Sequence, residues 1–277
     1  SADEIEKIIL SRDWLSYFSD SISRENELIE NKEDRDKYVL SLSLENWKLS
    51  LPKGAIKGQT IDKILEELYL NAKDVEDFSK FPIPFACVAT DAETGKEVVF
   101  TKGYLPEAIR ASMSLPGLLD PVELDGKLLL DGGLSNNFPA SIALKLGANY
   151  IIGEEVLGEL QKKEDLTSAV LIMNQAIAYK RVDVTNEEKK KVNILISPNT
   201  DKYNIFSFAK AKEIIDEGEK AARVKIKELK KLKNESKFNQ IKSKKIEFTD
   251  NFFIENIEVN GNQNISTSTI NKIINLK

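Results

Sequence analysis

Apolar and polar residues alternate along the chain with two different periods, and the changes of period mark the predicted elements. Apolar residues at helical spacing predict an acidic helical segment over 1–36. Two short runs with period-two alternation, 38–44 and 47–51, predict a β-hairpin. A helix follows over 61–68, with Thr60 as its N-terminal cap.

The central part of the chain alternates between strand-like runs and helical segments. The predicted strands are 85–89, 97–101, 128–130, 149–154 and 192–197, and the predicted helices are 106–110, 139–146, 166–179 and 203–222. The first two of these strands form a hairpin with a longer loop. The whole pattern indicates an α/β fold that is built in layers around a mainly parallel sheet.

The composition changes after residue 220. Eleven Lys or Arg occur against two Glu over 220–245, which predicts a basic helix that continues into a polar linker. From residue 246 the pattern returns to period-two apolar residues, followed by a short helix. We therefore predict three parts: an α/β domain over 1–222, a basic helix and linker over 223–245, and a separate small piece over 246–277.

Composition restricts the chemistry of the protein. The chain has 277 residues, of which 41% are hydrophobic, so it can bury one sizeable core. It contains no histidine, which excludes a Ser-His-Asp triad and a zinc site built on histidine. Its single cysteine, Cys87, cannot form an internal disulfide and is predicted to be a small core residue. We expect neither a metal nor a cofactor.

The strand over 128–130 ends at a carboxylate, Asp131, which is followed by Gly132 and Gly133. An aspartate before two glycines is common in turns, and on spacing alone that interpretation is sufficient. The alternative is a functional carboxylate. In open α/β sheets the carboxyl ends of the strands line ligand crevices, and two glycines let a substrate or a second loop approach the backbone closely.

Several motifs that follow one another in order favour the functional alternative. They are PFACVATD over 84–91, AIRASMSLPG over 108–117, DGG over 131–133 and NNFP over 136–139. With these motifs the stretch 81–153 resembles the C-terminal half of the catalytic domain of patatin-like phospholipases, which are acyl hydrolases with a serine–aspartate dyad. The resemblance implies a three-layer α/β/α fold with a mainly parallel sheet, whose N-terminal part is absent from this sequence.

The resemblance also implies an activity and a set of roles. It implies a lipid acyl hydrolase of the phospholipase A type that acts on phospholipids or other acyl esters, with Asp131 as the base that accepts the proton of the serine hydroxyl. Gly132 and Gly133 are expected to keep the approach open. Asn136 and Asn137 are expected to hold the loop through side-chain hydrogen bonds.

The chain departs from the family at the nucleophile. Neither a glycine-rich oxyanion segment nor a Gly-x-Ser-x-Gly elbow occurs in the sequence, and Ser112 and Ser114 lack the elbow context that exposes a nucleophilic hydroxyl. We expect these parts, including the nucleophile serine, in an N-terminal patatin segment of a longer chain. Residues 1–277 alone are predicted to hydrolyse no ester.

The last 32 residues, 246–277, resemble the first strand and first helix of a POTRA domain, the small periplasmic module that precedes outer-membrane barrels. So short a piece buries too little surface to be a stable domain. The resemblance implies an autotransporter at the bacterial cell surface or outer membrane, or a secreted protein. It also leaves an alternative function, a non-catalytic surface or assembly module with the patatin-like body as its scaffold.

Three other features allow two interpretations each. The aromatic cluster of Trp14, Tyr17 and Phe18 suits contact with a membrane surface, but packing at a helix end is favoured. The basic run over 220–245 suits binding to nucleic acid or anionic lipid, but a solvated helix is favoured because no aromatic rings interleave with its first part, and we expect no nucleic-acid partner. Residues 90 and 91 are polar and within a motif, but turn formation explains them.

Overall fold

The computed structural model of the protein describes residues 2–18, 43–45, 48–50, 54–156, 160 and 162–235. All of them belong to the first of the two units into which the chain divides, 1–244 and 245–277. The POTRA-like piece predicted over 246–277 lies outside the described residues, as does the predicted linker from residue 236. The domain boundaries therefore stay predictions.

The helices of the described part are numbered in chain order. They are α1 (Ala2–Ser11), α2 (Trp14–Tyr17), α3 (Gln59–Tyr69), α4 (Leu105–Ser112), α5 (Ala140–Lys145), α6 (Ala169–Lys189), α7 (Ala211–Val224) and α8 (Ile226–Glu235). Helix α6 extends well beyond its predicted end at residue 179, because neither glycine nor proline interrupts 180–189. Of the helical segment predicted over 1–36, residues 19–36 lie outside the described part.

The strands of the described part are all short. They are β1 (Ser43–Glu45), β2 (Lys48–Ser50), β3 (Gly54–Ile56), β4 (Cys87–Asp91), β5 (Glu97–Phe100), β6 (Gly117–Leu119), β7 (Val122–Leu124), β8 (Lys127–Asp131), β9 (Ile152–Glu154) and β10 (Ile194–Ile196). The pair β1 and β2 is antiparallel, with Leu44 opposite Leu49, which confirms the hairpin predicted in this region. Short 3-10 turns connect several elements, and the one that matters for the site is Gly132–Leu134.

The largest sheet among the described strands has the order β5-β4-β8-β7, and every pairing in it is antiparallel. Two further pairs, β3 with β6 and β9 with β10, are parallel. The prediction of a mainly parallel sheet is therefore wrong for the strand that carries Asp131. Two short connections account for two of the three antiparallel pairings. Residues 92–96 join β4 to β5, and Asp125 and Gly126, both at positive φ, join β7 to β8 in a two-residue hairpin.

The core beneath this sheet is formed by small residues on helix α4. Ala111 packs with Ala89 of β4 and Leu129 of β8, while Ala108 packs with Phe78. Small side chains on the inner face of α4 let the helix lie close to the strands. The packing of α4 therefore fixes the position of the end of β8, where Asp131 lies.

The aromatic residues near the N-terminus take part in packing. Tyr17 and Phe18 lie against the buried cluster of Ile61, Leu65 and Leu119, and the Phe18 ring lies 5.0 Å from that of Phe208. These contacts support the packing interpretation of the aromatic cluster.

Two predicted details of the helices are wrong. Helix α3 is preceded by Gly58 at φ +87°, so Thr60 lies inside the first turn and is not its cap. Glycine is needed at this position because a Cβ atom there would collide with the guanidinium of Arg110. The helix predicted over 139–146 is α5, which buries Ile142 but ends at Lys145, and Leu146, its predicted last residue, lies outside the helix and is 58% exposed.

A buried arginine links α4 to the end of β8. Arg110 donates through Nη1 to Ser114 Oγ at 2.7 Å, and through Nη2 to the carbonyl oxygens of Lys57 and Asp120 at 3.0 and 3.1 Å. The Ser114 carbonyl in turn accepts the backbone N–H of Asp131 at 2.9 Å. Among the described residues, the Nε atom of Arg110 makes no hydrogen bond but forms an ion pair with Asp62 at 3.1 Å. Through Ser114, the network connects the loop after α4 to the end of β8 that carries Asp131.

Candidate functional site

Asp131 is the last residue of β8, and its side chain begins the turn Gly132–Leu134. Its Oδ1 atom accepts the backbone N–H of Gly133 at 2.6 Å. Asp131 as a residue is half-buried, and burial of its carboxyl group is the largest effect on its pKa. The turn therefore fixes one carboxylate oxygen, and Gly133 is the only hydrogen-bond donor to this side chain among the described residues.

The charge on Asp131 is set by opposing effects. Burial raises the pKa of the Asp131 carboxyl group above its ordinary value, while the Gly133 N–H and the positive charge of Arg181 act in the opposite direction. The pKa of Arg181 is lowered by burial, and Asp131 offsets part of that effect. A carboxylate with a raised pKa is a better proton acceptor at neutral pH than an ordinary aspartate.

The two glycines lie close to protein atoms. A Cβ atom on Gly132 would lie 2.6 Å from the carbonyl carbon of Val88 in β4, and one on Gly133 would lie 2.8 Å from Asp131 Oδ1. Of the two partners considered for the glycines, a substrate and a second segment of chain, the structure shows the second for Gly132. The expected role of the pair in keeping the approach open stays a prediction.

The two asparagines of the loop differ in their contacts. Asn136 is buried, accepts the Phe138 N–H through Oδ1 at 3.3 Å, and donates through Nδ2 to Glu97 at 3.3 Å. Asn137 packs with its Oδ1 against Gly133, and within the described residues it makes no side-chain hydrogen bond. Asn136 thus connects the loop to β5, whereas Asn137 only packs against Gly133. The part of both residues in function stays a prediction.

Thr90 contributes to the site in a way that sequence reasoning missed. It lies in the buried part of β4, not in the turn, and its hydroxyl donates to the Asp131 carbonyl at 2.8 Å. The Ser135 hydroxyl lies 2.8 Å from the same Thr90 oxygen. Turn formation explains Asp91, which accepts the Glu93 N–H at 2.9 Å, but it does not explain Thr90.

Arg181 is the second residue that sequence reasoning missed. It lies on α6, which packs against the turn after Asp131. A charged residue at helical spacing from Ala178 and Thr185, both buried, was the signal in the sequence that could have identified it.

Two other candidate nucleophiles, Ser114 and Cys87, are inaccessible or unreactive. Ser114 is completely buried, and its hydroxyl donates to the Arg110 carbonyl at 2.8 Å while it accepts from the Arg110 guanidinium. Cys87 packs beside Phe78, and burial raises the pKa of its thiol to about 12, so the reactive thiolate is scarce. The structure supports the prediction that Cys87 is a small core residue.

A cavity of about 420 Å³ in the described part does not include Asp131 in its lining. It is lined by Arg110 and by carboxylates that include Asp62 and Asp120. Because Asp131 does not line it, the chemistry of the strand end and this cavity are separate features. Within the described ranges no cluster of three or more His, Cys, Asp or Glu side chains is arranged to hold a metal ion.

A half-buried carboxylate with a raised pKa, at the end of a strand and in front of two glycines, defines a candidate general base. The model of the patatin-like phospholipase family matches residues 2–144, just over half of the sequence. The chain therefore belongs to the patatin-like phospholipase family. Helices long and apolar enough to cross a membrane are absent from the part of the chain that the structure describes.

The curated relatives match shorter stretches. An uncharacterized NTE family protein of Mycobacterium tuberculosis is 42% identical over 79 residues, which are 28% of this chain and 22% of the relative. A second one from the same species is 30% identical over 123 residues, 44% of this chain and 19% of the relative. Lysophospholipase NTE1 of Meyerozyma guilliermondii is 41% identical over 83 residues, 30% of this chain and 6% of that protein. The matches thus span less than a quarter of each relative's length.

The raised pKa of Asp131 predicts the sign of a pH effect on stability. The folded chain binds this proton more readily than the unfolded chain does, so lowering the pH from about 7 to about 4 stabilises the wild type through Asp131 and cannot do so in Asp131→Asn. Urea unfolding of the wild type and of Asp131→Asn at both pH values measures this effect. The free energy of unfolding of the wild type, relative to that of Asp131→Asn, should be larger at the lower pH.

Asp91→Asn is the matched control. The Glu93 N–H lowers the pKa of Asp91, so the wild type loses the stabilisation from Asp91 as the pH falls. The free energy of unfolding of the wild type, relative to that of Asp91→Asn, should therefore be smaller at the lower pH. If the stability relative to the wild type changes with pH in the same direction for both variants, the pKa of Asp131 is not raised as described.

The close contact of Gly132 predicts a large cost of a single methyl group. Gly132→Ala is expected to lower the free energy of unfolding by about 2 to 3 kcal/mol, because the Val88 backbone cannot move aside without breaking the pairing of β4. Gly218→Ala, in α7 with open space around the new atom, should raise it by about 1 kcal/mol. Denaturant unfolding of both variants measures this, and equal stabilities refute the contact.

Proposed function

We propose that the protein is a lipid acyl hydrolase of the phospholipase A type, in which Asp131 is the base of a serine–aspartate dyad. The observation that carries the proposal is the geometry of Asp131: a half-buried carboxylate, held by the Gly133 N–H at the end of β8, in a chain of the patatin-like phospholipase family. Its raised pKa suits the acceptance of a proton at neutral pH.

The proposed reaction has two steps with a covalent intermediate. Asp131 accepts the hydroxyl proton of a serine as the serine oxygen attacks the ester carbonyl, and the proton then passes to the alcohol that leaves. Water, deprotonated by the same carboxylate, next attacks the acyl-serine, and the proton passes to the serine oxygen as the fatty acid leaves, which restores both the hydroxyl and the carboxylate. Because Gly133 holds Oδ1, the other carboxylate oxygen is the one free to face the serine.

The serine and the oxyanion donors are proposed to come from an upstream segment of a longer chain. The sequence contains no Gly-x-Ser-x-Gly elbow, and the hydroxyl of Ser114 is fully engaged with Arg110. The fragment of 277 residues is therefore proposed to be inactive by itself.

The substrate class is proposed to be a phospholipid or lysophospholipid. One relative carries the name lysophospholipase, and the family itself is named for phospholipases, which supports an ester of a glycerophospholipid. Location at a bacterial surface, within an autotransporter that carries the POTRA-like piece, is a separate proposal that rests only on the resemblance of 246–277.

Asp131→Ala tests the assignment of the base. In a chain extended upstream to include the serine elbow, we expect turnover of a fluorogenic phospholipid to fall at least about a hundredfold, because general base catalysis contributes that much or more. The 277-residue chain alone should show no turnover above buffer.

Asp91→Ala serves as the control in the same assay, because Asp91 is also at a strand end and makes a comparable turn contact. It should retain most of the activity. Full activity of Asp131→Ala with an intact circular dichroism spectrum removes Asp131 from the mechanism, and activity of the 277-residue chain contradicts the upstream origin of the nucleophile.

A further inference from the structure

The inner face of helix α6 carries an arginine where an apolar residue is the usual choice. Ala178, Arg181, Thr185 and Glu188 recur at intervals of three and four residues and so lie on one face. Thr185 is only 4% exposed, and Ala178 and Glu188 are also buried. Arg181 is half-buried on this face, so its charge has been placed inside the structure at a cost.

The C-terminal end of this helix face is anchored to a neighbouring helix, which fixes the position of Arg181. Glu188 accepts the backbone N–H of Ser141 from α5 at 2.6 Å and pairs with Lys191. The same helix also packs against the turn Gly132–Leu134. Arg181 is thereby held beside Asp131, and it is the only charged group among the described residues that acts on the carboxylate.

The guanidinium of Arg181 has donors to spare. Within the described part of the chain it makes no hydrogen bond and no ion pair at contact distance, and its interaction with Asp131 is electrostatic only. A buried structural arginine looks different here: Arg110 donates to one hydroxyl and two carbonyl oxygens. Arg181 therefore holds a fork of unused donors at the rim of the site.

The proposed substrate brings a negative charge close to the Asp131 carboxylate, and the guanidinium of Arg181 is placed to offset the repulsion. A phosphodiester that brings its neighbouring ester to Asp131 places a second negative charge near the carboxylate, and in a half-buried site the two repel each other. A planar guanidinium binds phosphate oxygens in pairs and offsets that repulsion.

We propose that Arg181 binds the phosphate of the phospholipid or lysophospholipid substrate and holds its ester beside Asp131. This inference rests on the proposed function, and it adds the group that selects phosphate-bearing esters over neutral ones. The shared chemistry is a phosphate oxyanion; the lipid head group is the source to which the proposal commits, and free phosphate is tested as the rival.

The test measures binding, not turnover, on the 277-residue chain. Isothermal titration with a short-chain lysophosphatidylcholine, with the monoacylglycerol of the same acyl length and with inorganic phosphate separates the contributions of phosphate and acyl chain. We expect the wild type to bind the lysophospholipid about tenfold more tightly than the monoacylglycerol, as a charge-assisted hydrogen-bonded pair provides. Inorganic phosphate should bind more weakly than the lysophospholipid.

Arg181→Gln should abolish the preference, and Arg181→Lys should restore part of it. Arg223→Gln is the matched control, because Arg223 is exposed and already paired with Glu219 in α7, and it should leave the preference unchanged. Thermal unfolding of each variant checks that the fold is retained.

Three results overturn the proposal: no preference in the wild type, a full preference in Arg181→Gln, or inorganic phosphate binding as tightly as the lysophospholipid. The outcome is independent of hydrolysis. If the preference depends on Arg181 but the upstream-extended chain hydrolyses no ester, the proposed function fails and the phosphate site remains.

Discussion

The contact between Gly132 and the Val88 backbone is the constraint on which the site depends. It brings the turn after β8 against β4 at the point where Ala89 faces Asp131 across the sheet. Any side chain at position 132 would push the turn away. With the turn in place, the Gly133 N–H reaches the carboxylate of Asp131 at the geometry of a strong, charge-assisted hydrogen bond.

The second constraint is electrostatic. Burial alone would push Asp131 toward its neutral form, and a neutral carboxyl group cannot accept a proton. Arg181 and the Gly133 N–H counter this effect in part, and the net result is a carboxylate that is more basic than an exposed aspartate. In the proposed function the same arginine also binds the phosphate of the lipid, so that one side chain would act on both the base and the substrate.

Local signals in the sequence were sufficient for some of these features. The alternation over 38–51 and the turn residues between β4 and β5 predicted two hairpins that the structure contains. The apolar run that stops at a carboxylate predicted the end of β8 at Asp131. These features depend on residues that are neighbours along the chain, which is why pattern and spacing reveal them.

The features that were missed depend on contacts between distant parts of the chain. Thr90 bonds to a carbonyl 41 positions later, and nothing in the residues around it indicates that partner. The prediction of a mainly parallel sheet was also wrong for this strand, because β8 pairs antiparallel with β4 and the strand pattern does not encode which strands become neighbours. Arg181 meets Asp131 only through the packing of α6, so its role emerged from the structure.

In the proposed dyad the carboxylate of Asp131 faces a serine contributed by an upstream segment. A crystal structure of the upstream-extended protein, with the reactive serine trapped by a phosphonate, tests this most directly. The serine oxygen is expected to lie about 2.6 to 3.2 Å from the carboxylate oxygen that Gly133 does not hold. A trapped serine beyond hydrogen-bond reach of Asp131, or one that contacts another base, would show that Asp131 is not the base.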